Sequence, residues 1–326
     1  RMIVGPATST AVSAVLDFAN ENNITLLSYA STSPKLSIAG DNLFRLVPDD
    51  KSQGKVIAKK MIDDGIKVIV PFWRADIYGS ELANATKYYF EKFGGMAEEG
   101  VNYKPHTGKF ATSLHRINFI MWNQELKKLN AMVSDAITKY GKDSVAVYVI
   151  SYDEITPILI QAQLFDNLGK VKWYGSDSVA ENHHLTKNID SANFAIQTKF
   201  INPLFSVAIN NQSAHEVEGE SGGESDGEHD SSMTYAATAY DSFWIATKSL
   251  EKNYTLDRND EKLNSNDFNE ILSTTAKAYN GTTGKIDLNM AGDRISENYN
   301  FWYVVKDNST GGFKWESGSK VLKPHH

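Results

Sequence analysis

Apolar positions in this chain fall alternately into short runs and into stretches with helical spacing. Ile3-Val4 is a short run, and from Ser9 to Asn20 the positions Val12, Val15, Leu16 and Ala19 share one helical face. Ser9 or Thr10 reads as the N-cap of that helix. Ile24-Thr25-Leu26-Leu27 predicts a strand running into the polar turn Ser28 to Ser33. The alternation then repeats. Helices are predicted over Gln53 to Asp64, Gly79 to Phe93 (closed by Gly94-Gly95), Phe119 to Tyr140 and Ile155 to Leu168. Strands are predicted over Val68 to Phe72, Val145 to Ile150 and Val171 to Tyr174. Met233 to Lys252 and Asn266 to Tyr279 are two further amphipathic helices, and no repeat with a period of about 20–50 residues is present.

Strand, helix, strand, helix with short connections implies an α/β fold with parallel sheets flanked by helices. Right-handed crossovers place the strand-to-helix turns along one edge of each sheet, where open sheets of this kind bind ligands. The turns of interest are therefore Gly5 to Thr10, Ser28 to Ser33, Trp73 to Tyr78, Ser151 to Asp153 and Gly175 to Ser178. Thr8-Ser9-Thr10 and Ser31-Thr32-Ser33 supply hydroxyls and backbone N–H groups where helices begin, which suits a carboxylate or phosphate. Either cluster alone is explained by ordinary N-capping, whereas two on adjacent strands argue for a shared site. Trp73, Tyr78 and Tyr152 offer aromatic walls, and Asp177 offers one negative group. Hydroxyls for a carboxylate and an acid for an ammonium together describe a free amino acid as ligand.

The length, 326 residues, suits two domains of about 150 residues each. There is no cysteine, which excludes disulfides, a thiol nucleophile and cysteine-ligated metals. Apolar runs are far shorter than the ~20 residues of a membrane span. The net charge of -7, with no basic stripe, argues against nucleic acid as a partner. Seven acids between Glu216 and Asp230, with no Lys or Arg among them, account for a charge of that size. Residues 214–232 read as an acidic flexible loop, and a cation-binding role drawing on His215 and His229 is the rival reading. Asp226-Gly227-Glu228 lacks the ligand spacing of a calcium loop. Glycine-rich phosphate loops and the nucleophile elbow are absent, and His183-His184 are adjacent rather than spaced as zinc ligands. No catalytic residue, metal or cofactor is expected. Six Asn-x-Ser/Thr sequons, at Asn23, Asn84, Asn211, Asn253, Asn280 and Asn308, are compatible with an extracytoplasmic protein without fixing its location.

The turns also carry a family resemblance. Val4-Gly5-Pro6 with Thr8-Ser9, Leu27 to Leu36, Asn42-Leu43-Phe44-Arg45 followed by Asp49 and Ser52-Gln53-Gly54, and Asp76-Ile77-Tyr78-Gly79 occur in order. Tyr240-Asp241-Ser242 and Ala291-Gly292-Asp293-Arg294 complete the set. Together they resemble the type I periplasmic binding proteins, specifically the leucine/isoleucine/valine-binding receptors of ABC importers. The resemblance implies two Rossmann-like lobes with parallel central sheets joined by a three-crossing hinge near Asp49, Pro203 and Ile286. Lobe 1 would comprise 1–49 and 204–286, and lobe 2 would comprise 50–203 and 287–326. It further implies an extracytoplasmic receptor that closes on an amino acid, branched-chain or similar, and offers it to a membrane permease, touching the membrane only through a tether or that permease. Ser9, Ala30 (through its backbone) and Thr32 would bind the ligand carboxylate, with Thr8 and Ser31 in the same hydroxyl clusters. Asp177 would bind the ammonium, Tyr78 and Tyr152 would close over the ligand, and Trp73 would face the cleft.

The sequence departs from the family at Tyr29, where a small residue is usual, and at Asp177, one methylene shorter than the usual Glu. Amide, urea and aromatic acid ligands therefore stay open, as does the ectodomain of a signalling receptor with the same fold. Arg1 to Pro6 shows no charged-then-apolar leader. The family begins with a strand, a long helix and another strand before the Val-Gly-Pro loop. The resemblance thus implies that the N-terminal part of lobe 1 is missing here, that a longer version continues upstream through a signal sequence, and that a sheet edge is exposed.

Overall fold

The computed structural model describes residues 1–105, 122–207, 233–257 and 265–318, with no account of the side chains of 257 and 265–267. The acidic stretch 214–232 with His215 and His229 lies outside the described residues, as does the expected start of a helix at Phe119. The described residues divide into two compact units. Unit 1 holds residues 1–52 and 205–297, and unit 2 holds 53–204 and 298–326.

Unit 1 opens with β1 (Met2–Val4), α1 (Ser9–Glu21), β2 (Thr25–Ser28) and β3 (Leu43–Arg45). The strands form a three-stranded parallel sheet in the order β1-β2-β3, with Val4 opposite Leu27 and Leu27 opposite Phe44. Thr8 caps α1 by accepting the N–H of Ala11 at 3.3 Å. The cap expected at Ser9 or Thr10 thus sits one residue earlier, because Ser9 is turned inward and used by a neighbouring loop. Val12, Leu16 and Ala19 are buried as the helical spacing predicts, whereas Val15 is exposed.

In unit 2, α2 (Asp50–Asp63) starts in unit 1 and leads into β4 (Val68–Arg74), α3 (Ile77–Lys92), β5 (Met96–Ala97) and β6 (Val101–Tyr103). Then follow α4 (Asn123–Tyr140), β7 (Val145–Ile150), α5 (Ile155–Ala162) and β8 (Lys172–Tyr174). The segment is completed by α6 (His183–Lys187), α7 (Ile189–Gln197) and β9 (Ile201–Phe205). The remaining helices, α8 (Met233–Asp257) and α9 (Ser265–Ala278), belong to unit 1, as does the small hairpin β10 (Asn280–Gly281) and β11 (Gly284–Lys285). They supply Ile245, Ala246, Leu272 and Ala276 to a core with Leu27, Phe44, Leu46 and Ile286. The antiparallel pair β12 (Tyr299–Lys306) and β13 (Phe313–Gly318) returns to unit 2.

The eight-stranded sheet runs β13-β12-β9-β8-β7-β4-β5, with β6 also on β4, and it is parallel from β5 through β9. Successive residues of a strand face opposite sides. Val145, Val147 and Val149 accordingly enter one core with α4, α5 and α7, and Ala146, Tyr148 and Ile150 enter a second with α2 and α3. Helices on both faces explain why β4 and β7 read as unbroken apolar runs.

Several boundaries differ from expectation, and three of them have a clear cause in the structure. Helix α2 begins at Asp50 rather than Gln53, since Asp49 accepts the N–H groups of Lys51 (3.1 Å) and Ser52 (3.4 Å). Helix α5 stops at Ala162, and Leu168 stays buried through a separate 3₁₀ turn. The third crossing lies between Glu297 and Asn298 rather than near Ile286. Residues 287–297 remain in unit 1 because Asp293 accepts from the Arg45 Nε at 2.6 Å and Arg294 donates to the Thr283 Oγ1 at 2.8 Å.

Candidate functional site

In unit 1 the two hydroxyl clusters follow adjacent parallel strands and bond to each other. Ser31 Oγ and the Ser33 N–H both donate to Ser9 Oγ, each at 3.1 Å. A serine oxygen accepts twice and donates once, so Ser9 is left with its proton to give. Beside it, Ser33 Oγ is buried without any partner. Arg45, itself fully buried, holds this loop by donating to the carbonyls of Ser31 (3.3 Å) and Ser33 (2.8 Å). Ala30 occupies a half-buried bend in the same loop, and Thr8 is exposed and engaged in capping.

Thr32 bonds to the start of α2 rather than to the serines. Its hydroxyl donates to Asp50 Oδ2 at 2.9 Å, and the Asp50 N–H returns a bond to the Thr32 carbonyl at 2.9 Å. The one hydroxyl proton of Thr32 is therefore given to a buried acid.

In unit 2 the three turns follow β4, β7 and β8, which are neighbours in the sheet, so Tyr78, Tyr152 and Asp177 are brought together. The Tyr78 and Tyr152 rings stack with centroids 5.0 Å apart at an interplanar angle of 10°. The Tyr78 hydroxyl donates to Asp177 Oδ1 at 2.7 Å, and the Ser178 N–H reaches the same oxygen at 2.8 Å. Asp177 is only 3% exposed.

Arg74 stands behind the stack. Its guanidinium carbon lies 3.8 Å from the Tyr152 ring centroid, and its nitrogens donate to Asp76 at 2.6 Å and Glu154 at 2.8 Å. Burial pulls its pKa down, and Glu154 and Asp76 more than reverse that, leaving it above its ordinary value. Burial pushes the Glu154 carboxyl up, with Arg74 opposing. Asp76 also caps α3 through the Gly79 N–H at 2.9 Å. A side chain at Gly79 would run into the Arg74 carbonyl, so the glycine lets the helix start directly over Arg74. Trp73, half-buried, points to the opposite face of β4 from Arg74 and packs with the α2–α3 core, with the Lys87 ammonium 6.0 Å from its ring centroid.

Sequence reasoning passed over Arg74, Glu154, Asp50 and Ser33 as site residues. Ser33 was legible as part of its hydroxyl cluster, and Arg74 as a charge ending an apolar run. Glu154 and Asp50 carried no local signal. Among the described residues, no group of three or more His, Asp or Glu could hold a metal ion, and no helix is long and apolar enough to cross a membrane.

A family model described as "Receptor family ligand binding region" matches residues 1–307. An uncharacterized protein of Methanocaldococcus jannaschii is 24% identical, the match covering 96% of this chain and 74% of that one. Among solved structures, the leucine binding protein LivK of Thermotoga maritima is similar with a TM-score of 0.66 and 19% identity, over 97% of this chain and 78% of that one. An ABC transporter substrate-binding protein of Desulfitobacterium hafniense, solved in complex with Leu, gives a TM-score of 0.61 and 19% identity, over 97% and 80%.

Proposed function

Since the chain belongs to the receptor family ligand binding region family, we propose that it is a solute-binding receptor whose ligand is an amino acid, and that it catalyses nothing. The observation that carries this reading is Asp177, a buried carboxylate held by a tyrosine hydroxyl beside two stacked rings at the carboxyl ends of three parallel strands. An acid in such a frame recognises an ammonium, and the rings contact the ligand's side chain. The hydroxyl protons of Ser9 and Ser33, near the start of α1, suit the carboxylate at the ligand's other end. The likeness in fold to a substrate-binding protein solved with Leu supports a branched-chain or similar ligand, delivered outside the cytoplasm to an ABC permease.

Calorimetric titration of the 326-residue chain with L-leucine and the other proteinogenic amino acids tests this. One or more should bind. Asp177→Ala should weaken that binding by about 10–100-fold, the value of a charge-assisted hydrogen bond lost from a buried site. Affinity unchanged by the substitution removes Asp177 from the ammonium role.

A further inference from the structure

Asp177 is held from its main chain as well as its side chain. Gln53, 1% exposed in the first turn of α2, accepts the Asp177 N–H on its Oε1 at 3.0 Å. Close helix packing sets this reach. A methyl group on Gly54 would stand 2.9 Å from the Thr86 nitrogen and 3.0 Å from the Ala85 carbonyl carbon, so α2 lies against α3 without room for a side chain. The same α3 carries Tyr78, which donates to the Asp177 carboxylate. Side chain and backbone of one acid are thus fixed by two helices that are themselves locked together. A buried N–H without an acceptor is costly, so removing the amide would leave Asp177 free to move to find another. Glutamine supplies that acceptor at the required length and adds no second negative charge beside the acid.

We propose that Gln53 is a positioning residue for ligand recognition: it fixes the backbone at Asp177 and so sets where the carboxylate meets the ligand's ammonium. This role rests on the amino-acid reading of Asp177 given above.

The test is titration of L-leucine, and in parallel each other proteinogenic amino acid, into the full chain and the variants Gln53→Leu and Gln53→Glu from pH 4 to 8, with Tm measured alongside. Gln53→Leu should bind about tenfold more weakly while its Tm stays within a few degrees of the parent. Gln53→Glu keeps an acceptor of almost the same length, so its affinity at pH 8 should stay within about threefold of the parent. Equal losses in both variants that follow Tm, or no loss in either, overturn the proposal. Should Gln53→Leu fail to fold, Gln53→Met takes its place with nearly the parent's side-chain length and no amide oxygen, and unchanged affinity in that variant overturns the proposal equally. Failure of the underlying reading looks different: the parent chain then gives no heat with any amino acid, and the role of Gln53 falls with it.

Discussion

The hydroxyl of Ser33 illustrates how function and stability separate at a single residue. It is buried with no partner, whereas its backbone N–H and carbonyl are both engaged. An unsatisfied buried hydroxyl costs stability, so Ser33→Ala should leave Tm unchanged or slightly raised. If the hydroxyl serves a ligand acceptor, the same change should weaken amino-acid binding by about 5–10-fold. Loss of Tm without loss of affinity would make it a structural residue. Asp41 carries a second residue-scale consequence. Burial raises its pKa to about 6 from 3.8, aided by Asp293 and opposed by the Leu43 N–H and Arg45, and its Oδ2 has no hydrogen-bond partner. A carboxyl with a folded-state pKa above its unfolded value binds more protons folded than unfolded between those two values. Stability from this group is therefore lost as pH rises from about 4 to 6. Asp41→Asn should raise Tm by about 2 °C at pH 7.5, after discounting for solvent screening, and flatten that pH dependence. Melting curves at pH 4, 6 and 7.5 decide it, and a parallel drop at every pH refutes it.

At the scale of elements, the edge of the three-stranded sheet is the exposed feature. β1 pairs with β2 and ends the sheet among the described residues, with Ile3 49% and Val4 40% exposed. An apolar edge strand is a template for pairing with another chain, and lysine on such an edge opposes it. Ile3→Lys should therefore reduce concentration-dependent self-association of this chain in sedimentation velocity, and unaltered association would acquit the edge. How well each element could be read from the chain follows from its surroundings. β4 and β7 were legible because both faces are covered, which leaves apolar runs between polar turns. α1 was legible because one stripe is buried. β12 and β13 were missed: they are mostly half-exposed and mix aromatic with charged residues, so neither period stands out. β10 and β11 are two residues long, too short for a period to show. The site divides in the same way. Hydroxyls, tyrosines and Asp177 sit in turns after strands, where residue type and position coincide. Arg74 and Glu154 are 80 residues apart, and Gln53 and Asp177 are 124 apart. Their significance arises only once the sheet has placed β4, β7 and β8 side by side.

For the whole molecule, the proposed function can be tested in each unit by itself. The chain passes between the units three times, at Ser52–Gln53, Leu204–Phe205 and Glu297–Asn298. Ser9 and Ser33 belong to unit 1, and Asp177, Tyr78 and Tyr152 to unit 2. A ligand held by either set stabilises the unit that carries it, and its effect on populations is limited to its differential affinity for the bound arrangement. A ligand present at 100 times its Kd adds about 2.7 kcal/mol, which over a chain of this length raises Tm by about 4 °C. The magnitude does not distinguish one unit from two, but local opening does. Hydrogen exchange with and without saturating L-leucine should therefore slow in peptides covering Ser31 to Ser33 and also in those covering Ser176 to Ser178. In Asp177→Ala both effects should diminish together, because the free energy that protects the hydroxyl loop is drawn from the same bound ligand. Protection confined to one unit, or protection of the hydroxyl loop that persists at full strength in Asp177→Ala, would mean that the two sets of residues do not serve one ligand.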